Sequence, residues 1–238
     1  MKRYLIANLI VDIDAACDRL LRLGTPYESN ACGKADIEII ISDEKMDNLA
    51  KKHPHLTKDE VAYLAIGTVF YIKVGAFGGI LVHSSCIKYK DKAYLFTADS
   101  GTGKSTHTSL WKKVFGNEVE YINDDKPVLR EIDGVWYAFG TPWSGKTDLN
   151  SNISAPVGGI VFLNRGDKNT IRKLSPSKDE VAPKFMKQTV KPTDIKNIDF
   201  LYKNADNLLG KVPLYELFCN ISEEAVWTAH NCIVNNSR

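Results

Sequence analysis

The sequence predicts an α/β protein whose sheet contains both parallel and antiparallel strands. Short apolar segments typical of strands alternate along the chain with segments of helical periodicity. Lys90-Asp91 and Asp133-Gly134 separate pairs of apolar segments in the way that hairpin turns do. Residues 94–97, in contrast, lead through a glycine-containing loop into a predicted helix, a connection typical of α/β sheets. The combination favours a mixed sheet over a purely parallel one.

The first 75 residues are predicted to form a small N-terminal α+β layer. Residues 3–13 and 36–42 have the apolar pattern of strands. Residues 15–23 have the pattern of a short helix, which Gly24 is expected to end. This layer is expected to pack on the rest of the chain.

The strongest helix signal of the layer begins at Thr57. The Thr57 hydroxyl and the Glu60 carboxylate form a capping box, in which each bonds a backbone N–H that the helix leaves free. Apolar residues then follow at helical spacing. They are Val61, Leu64, Ala65, Thr68, Val69 and Ile72. We expect this stripe to be the buried face of the helix.

Residues 76–238 are predicted to form the second, larger domain. Its strands are expected at residues 79–89, 92–97, 118–122, 128–132, 135–139 and 157–163. Its helices are expected at residues 104–115, 178–188, 195–209 and 223–233. No linker rich in Gly, Pro or Ser marks a boundary near residue 75. The division into 1–75 and 76–238 therefore depends on the pattern of elements alone.

Composition and charge argue against two classes of partner. The 238 residues include 31 basic and 29 acidic ones, which gives a net charge of +2. This balance supplies no long-range field for nucleic acid or a membrane surface, so neither is expected as a partner. We also expect no stretch of membrane-spanning length and no signal peptide. The five cysteines lack metal or redox spacing. A cytoplasmic protein is expected.

The segment after the strand at residues 92–97 has the composition of a phosphate-binding loop. It reads Asp99-Ser100-Gly101-Thr102-Gly103-Lys104-Ser105-Thr106. Its position between a strand and a helix is the context that a P-loop needs. The glycines let backbone N–H groups turn inward around phosphate oxygens, and the helix N-terminus adds partial positive charge. Lys104 is predicted to reach the β- and γ-phosphates of ATP, and Ser105 to bind Mg²⁺.

One position of the loop departs from the usual P-loop pattern. The pattern has glycine where this chain has Ala98. An alanine can make the same turn if its φ is negative. The alternative is a glycine-rich turn in which Lys104 is incidental.

The next predicted strand ends in a pair of acidic residues, Asp124 and Asp125. After a P-loop strand and helix, this is a Walker-B-like position. One carboxylate can hold Mg²⁺ while the other accepts the proton of a hydroxyl. The alternative is a simple turn, since Asn-Asp-Asp before Lys-Pro is also good turn chemistry.

Three features in this order resemble the catalytic domain of HPr kinase/phosphorylase and its kinase-like relatives. They are His83 on a strand before the loop, the loop itself, and Asn123-Asp124-Asp125. The resemblance covers residues 79–165 and implies the P-loop fold that these kinases share with ATP-dependent phosphoenolpyruvate carboxykinases. The chain looks closer to the small kinase-like branch of peptide-modification systems, some of which phosphorylate serine on a peptide.

The chain also departs from HPr kinases at two places. Those enzymes carry a glutamate directly after the P-loop serine, where this chain has Thr106-His107. Their later Arg- and Gly-rich segment, linked to phosphatase action, is not recognisable. The resemblance therefore does not extend to HPr as substrate or to the reverse, phosphorylase reaction.

The resemblance implies a role for each matching residue. His83 is implied to assist proton movement or phosphate binding. Asp124 is implied to be the general base and Asp125 the metal ligand, although the two roles can be exchanged. The implied reaction transfers the γ-phosphate of ATP, with Mg²⁺, to a serine hydroxyl of a protein or peptide. The related kinases often form homo-oligomers.

Lys146 is a further candidate, at the end of the loop Gly-Thr-Pro-Trp-Ser-Gly. A second cation at the γ-phosphate would stabilise charge in the transition state, as an arginine finger does. Trp143 in the same loop could cover the nucleotide or the acceptor. The alternatives are a solvated lysine and a core tryptophan.

Two other functions stay open on the sequence. A small-molecule kinase would use the same loop and aspartates. A catalytically inactive, nucleotide-binding regulatory protein would also keep Lys104 and Ser105, because binding alone uses both.

Overall fold

The computed structural model describes residues 1–15, 17–175 and 181–234. These residues contain both strands and helices. The strands are β1 (Lys2–Ile6), β2 (Leu9–Asp14), β3 (Ile37–Ile40), β4 (Gly79–Leu81), β5 (Ser84–Tyr89), β6 (Lys92–Thr97), β7 (Val119–Asp125), β8 (Val128–Ile132), β9 (Val135–Phe139), β10 (Ser154–Arg165), β11 (Thr170–Leu174) and β12 (Leu214–Cys219). The helices are α1 (Asp18–Gly24), α2 (Asp43–Lys52), α3 (Lys58–Lys73), α4 (Lys104–Phe115), α5 (Ala182–Met186), α6 (Ile195–Lys211) and α7 (Glu223–Ile233).

The larger sheet has nine strands, in the order β4-β8-β9-β10-β6-β5-β7, with β12 beside β10 and β11 beside β12. Strands β6, β10 and β12 run parallel, whereas β5 is antiparallel to both β6 and β7. The predicted α/β class with a mixed sheet is therefore confirmed. The hairpins predicted at Lys90-Asp91 and Asp133-Gly134 are present as well.

Helices cover both faces of this sheet. Successive residues of β6 point to opposite faces, as in any strand. Leu95 packs in a core with α5 and α6, and Phe96 packs in a second core with α4 and α7. Strand β6 is therefore held on both sides, and the loop that follows it starts from a fixed point.

The N-terminal layer is a separate three-stranded sheet, in the order β1-β2-β3. The single strand predicted at residues 3–13 is wrong, because the chain turns back there as a hairpin. Ala7 and Asn8 form the turn with φ of 53° and 58°. An apolar run continues into Ala7, so no Gly or Pro signals this turn in the sequence. The division into residues 1–75 and 76–238 stays a prediction, and one apolar core includes both this layer and Trp143.

Helix α3 has the predicted capping box but a different buried face. The Thr57 hydroxyl accepts from the Glu60 backbone N–H at 3.2 Å, and the Glu60 carboxylate accepts from the Thr57 N–H at 2.8 Å. The predicted stripe is wrong, since Leu64 is 44% exposed and Thr68 is exposed. The buried residues are Val61, Ala62, Tyr63, Ile66, Gly67, Phe70 and Tyr71. The aromatic side chains have the larger apolar surfaces, so they determine which face turns inward.

The segment Lys58–Phe77 is long and apolar enough to cross a membrane, with 20 residues and a mean hydropathy of 1.4. Within the part of the chain that the structure describes, it alone meets this criterion. The expectation that no stretch reaches such a length is therefore wrong. Half of its most apolar window is buried inside the protein. Most of its buried side chains, Ile66 and Phe70 among them, belong to the apolar core that the N-terminal layer shares with Trp143.

The last third of the chain is less helical than predicted. Strands β11 and β12 lie there and extend the sheet beside β10. Of the helix predicted at residues 178–188, residues 178–180 lie outside the described residues, and α5 spans Ala182–Met186. Helix α7 has the predicted bounds, and its Ser222 cap accepts from the Ala225 N–H at 3.2 Å.

Candidate active site

The loop after β6 connects a buried strand directly to α4, as predicted. Gly101 and Gly103 have φ of +79° and +119°, a region that only glycine adopts without strain. Ala98 has a negative φ, so the alanine that replaces the usual first glycine causes no backbone strain. We call residues 98–103 the glycine loop. Its two glycines occupy the positions where the backbone requires them.

Lys104 is the first residue of α4, and its ammonium turns back over the glycine loop. Nζ donates to the Ala98 carbonyl at 2.9 Å. Burial lowers the pKa of this lysine, and the negative charges of Asp125, Asp124 and Asp99 act in the opposite direction. The lysine of the loop therefore lies within the electrostatic field of both aspartates of the predicted pair.

Buried polar contacts hold the first turns of α4. The Thr108 hydroxyl lies 2.7 Å from the Ser85 hydroxyl on β5. The indole N–H of Trp111 donates to His107 Nε2 at 3.1 Å, and both side chains are buried. Ser105 and Thr106 are exposed in the first turn. Helix α4 is thus fixed on the sheet while its N-terminal hydroxyls face outward.

His83 lies between β4 and β5 and contacts Asp125 directly. Its Nε2 is 2.6 Å from Asp125 Oδ1, and its backbone carbonyl accepts from the Thr97 hydroxyl at 2.9 Å. Lys126 Nζ pairs with the other oxygen of Asp125. Burial by itself raises the pKa of Asp125, but hydrogen bonds from His83 and Lys126 outweigh it and lower the pKa to about 2. Asp125 is therefore an ionised carboxylate at neutral pH.

Asp124 is buried and held differently from its neighbour. Both aspartates belong to β7, where they pair with Ser85 and Ser84 of β5, so the strand is longer than the predicted 118–122. Asp124 Oδ2 accepts from the Thr147 hydroxyl at 3.0 Å. The side chain is 5% exposed. The sequence interpretation of a simple turn at this pair is wrong, because the residues form a strand.

The loop predicted to carry Lys146 lies against this pair. The Gly145 N–H donates to the Asp124 carbonyl at 3.2 Å, and a Cβ on Gly145 would lie 2.9 Å from that carbonyl oxygen. Lys146 itself is exposed, between Gly145 and Thr147. Trp143 is buried and stacks on Phe70 at 4.9 Å. For Trp143 the core interpretation is therefore correct.

Asn123 belongs to the segment that carries the resemblance, but its role was not predicted: it connects the aspartate pair to the neighbouring loop. Its side-chain amide donates to the carbonyls of Thr141 and Trp143, each at 3.0 Å. Its side-chain oxygen accepts from the Lys126 N–H at 2.7 Å. The predicted Walker-B-like position covered Asp124 and Asp125 and assigned no role to Asn123 or Lys126.

Two further residues reach the glycine loop from distant parts of the chain. The Arg165 guanidinium donates to the carbonyls of Gly101 and Thr102. The Gln188 carbonyl accepts from the His83 N–H at 2.7 Å, and its side-chain amide contacts Asp99 at 3.5 Å. No sequence motif marks either residue, because their contacts depend on how β10 and α5 are placed beside β6.

A cavity of about 550 Å³ adjoins the glycine loop between the ends of β10 and β12. Its wall includes Asp99, Ser100 and Glu216. Glu216 is 4% exposed and accepts hydrogen bonds from Lys184 at 2.5 Å and Arg172 at 2.7 Å. The buried carboxylate is thus compensated by two cations.

Glu216 should make the protein less stable at acid pH. Burial raises the pKa of this carboxyl, but the hydrogen bonds from Lys184 and Arg172 outweigh it and lower the pKa below the ordinary 4.5. Such a group contributes stability above its unfolded pKa, and the contribution is lost as the pH falls through its folded pKa. In urea unfolding, wild type should therefore exceed Glu216→Gln in free energy of unfolding by more at about pH 7 than at about pH 3.5. An equal difference in free energy of unfolding at the two pH values would contradict this prediction.

The donor set near Lys104 fits Mg²⁺. Mg²⁺ uses one or two protein oxygen ligands and takes the rest from phosphates and water. The Ser105 hydroxyl and the ionised Asp125 carboxylate are donors of this kind. Within the described ranges, no group of three or more His, Cys, Asp or Glu side chains could hold a metal ion.

The chain matches no protein-family model and no curated protein. It is similar in structure to the Hpr(Ser) kinase/phosphatase from Coxiella burnetii, with 10% sequence identity and a TM-score of 0.38. The similarity covers 66% of this chain and 89% of the other. That protein is a member of the family that the sequence resembles. A likeness of this size carries no argument about activity or substrate, and the finer resemblance to the peptide-modification branch stays a prediction.

Proposed function

We propose that the chain is an ATP- and Mg²⁺-dependent kinase that transfers the γ-phosphate to a serine hydroxyl of a protein or peptide. One observation carries this proposal. Lys104, at the start of α4 and over a glycine-containing loop, lies in the field of Asp124 and Asp125, and His83 contacts Asp125 at 2.6 Å. A cation for phosphate and carboxylates for a metal and a proton thus lie at one end of the sheet.

The glycine loop and the first turn of α4 would bind the triphosphate. The loop residues Asp99, Ser100, Gly101, Thr102 and Gly103 would surround the β-phosphate with backbone N–H groups. Lys104 would exchange its bond to the Ala98 carbonyl for the β- and γ-phosphates. Ser105 and Thr106 are exposed at the helix N-terminus, where phosphate oxygens are favoured.

The two aspartates would divide the chemistry. Asp125, whose pKa is about 2, stays ionised and suits a metal ligand, together with Ser105. Asp124 has a hydrogen bond from Thr147 on one oxygen, and the other would accept the proton of the serine hydroxyl. The serine oxygen forms a bond to the γ-phosphorus as the bond from that phosphorus to the bridging oxygen breaks, and ADP leaves with the electron pair. His83 would orient Asp125.

Mg²⁺, when bound, would neutralise charge on the phosphate oxygens. Lys146 is exposed beside Asp124 and would supply a second cation at the γ-phosphate. The same proposal includes a cytoplasmic location and a homo-oligomer. It includes no nucleic-acid or membrane partner. The division into domains 1–75 and 76–238 does so too.

Thermal melting with Mg²⁺ plus ATP, ADP or GTP, paired with a phosphate-release assay without acceptor, tests the proposal. We expect ATP to raise the melting temperature by several degrees, because ligand that binds only the folded state stabilises it. Phosphate release should stay close to background, because the base has no serine to deprotonate. No shift with any nucleotide would exclude the kinase. Binding without transfer to any acceptor would favour the regulatory alternative.

A further inference from the structure

A second cavity, of about 280 Å³, lies between α3, the loop after β9 and the segment after α5. We call it the aromatic cleft. Its walls are defined by Tyr63, Gly67, Tyr71, Leu81, Trp143 and Val190.

The aromatic cleft opens onto the candidate active site. His83 and Lys126, the two residues that contact the Asp125 carboxylate, also line the cleft. Gln188 lines both this cleft and the cavity beside the glycine loop. A molecule in the cleft would therefore lie next to the groups that the proposed transfer uses.

The walls of the cleft are held in place by the active-site loops. The Tyr63 hydroxyl donates to the Pro142 carbonyl at 2.9 Å, and the Tyr71 hydroxyl donates to the Lys126 carbonyl at 2.8 Å. The ring of Trp143 stacks on Phe70. The cleft is thus a built surface rather than a gap between loosely packed elements.

One polar group of these walls lacks a hydrogen bond. Trp143 is 1% exposed, and its Nε1 has no partner within the described residues. A buried N–H without an acceptor costs free energy. Gly67 lies against it, since a Cβ there would be 2.9 Å from Nε1. The indole N–H is therefore covered by α3 and is closed to a molecule in the cleft.

The chemistry of the walls selects the occupant. They consist largely of aromatic and aliphatic surface. Of the two lysines that line the cleft, Lys187 is exposed and Lys126 is paired with Asp125. A phosphorylated or carboxylated metabolite would therefore find no buried counter-charge in these walls. An uncharged apolar side chain matches these walls.

We propose that the aromatic cleft binds the acceptor, a peptide segment whose serine is directly next to an uncharged apolar residue. The apolar side chain fills the cleft, and the serine next to it faces Asp124. The role of the serine depends on the proposed kinase function, whereas the apolar preference of the cleft does not.

A peptide array tests the preference without needing catalysis. The array contains nonapeptides with one serine. The residue directly before or directly after that serine is varied and is Leu, Phe, Asp or Lys. Binding of the full-length protein with MgADP should be about ten-fold tighter or more for Leu and Phe than for Asp and Lys, because burial of a large apolar side chain is worth that factor. Equal binding across the four neighbours would overturn the proposal.

Two variants locate the preference. Leu64 lines the rim of the cleft on α3 and is 44% exposed, so Leu64→Asp should leave folding intact. It should remove the preference for Leu and Phe. Leu21→Asp is the matched control, since Leu21 is 39% exposed on α1, and it should keep the preference. The same result for both variants would place the preference elsewhere and overturn the assignment.

Two further arms separate the sources of failure. The free alcohol 4-methyl-1-pentanol carries the apolar body without a peptide. Displacement of the peptides by it at equal concentration would mean that a small neutral alcohol is the ligand, which overturns the peptide assignment. If, with MgATP, peptides bind with the apolar preference but gain no phosphate, the proposed kinase function is wrong and the assignment of the cleft is retained. If phosphate is transferred equally whatever residue lies next to the serine, the assignment of the cleft is wrong and the kinase function is retained.

Discussion

Lys104→Ala should lose the entire nucleotide-dependent rise in melting temperature. The ammonium is the group over the glycine loop that meets the β- and γ-phosphates, and alanine supplies no replacement for it. At a hundred-fold excess of nucleotide over Kd, wild type should gain about 2.7 kcal/mol. For a chain of this size that gain corresponds to roughly 5–10 °C. The variant should melt at one temperature with or without MgATP.

The measurement compares each variant with and without nucleotide, because loss of the bond to the Ala98 carbonyl also changes the melting temperature of the free protein. Lys113→Ala is the matched control on the same helix. Lys113 pairs with Glu223 on α7 and is 69% exposed, so its loss should cost little. The Lys113→Ala protein should keep the full nucleotide-dependent rise in melting temperature. A Lys104→Ala protein that still responds to ATP would move the phosphate site away from the glycine loop.

The glycine loop was predictable because its determinants are local. A buried strand, two glycines at positive φ and a lysine at the first helical position lie within one short segment. Local rules for turns and helix starts apply to such a segment directly. The same reason explains why the capping box at Thr57 and the bounds of α7 are confirmed.

The surroundings of the loop were not predictable, because they depend on contacts between distant segments. Gln188 bonds His83 only because the segment after α5 lies beside β5. Arg165 reaches Gly101 because β10 is the parallel neighbour of β6. Strand β12 was missed, although it completes this part of the sheet. None of these pairings leaves a periodic signal in one sequence.

The buried face of α3 shows a further limit of pattern reading. Counting aliphatic residues at helical spacing placed Leu64 in the core, whereas the helix turns Tyr63, Phe70 and Tyr71 inward. Phe70 and Tyr71 pack on Trp143. The hydroxyls of Tyr63 and Tyr71 donate to the carbonyls of Pro142 and Lys126, close to the aspartates. The N-terminal layer therefore contributes to the candidate site itself, which the sequence did not indicate. Asn123 connects that loop to the aspartate pair.

Asp124→Asn should keep nucleotide binding and lose phosphate transfer. The amide has nearly the same shape and can still accept from Thr147, so β7 and its loop should stay in place. It cannot take the serine proton, and removal of a general base costs about 10²–10⁴ in rate. Transfer of labelled γ-phosphate to the best serine peptide of the array measures the loss. The melting shift with MgATP should equal that of wild type.

Two companion variants decide which aspartate is the base. Glu120→Gln removes a carboxylate from the same strand, where Glu120 is exposed and pairs with Lys88, and it should leave transfer unchanged. Asp125→Asn should raise the Mg²⁺ concentration needed for transfer, since this side chain is the proposed metal ligand. If Asp124→Asn instead shows the Mg²⁺ effect and Asp125→Asn loses transfer with normal Mg²⁺ dependence, the two roles are exchanged. Full activity of Asp124→Asn together with a normal Mg²⁺ response would mean that Asp124 acts neither as the base nor as a metal ligand.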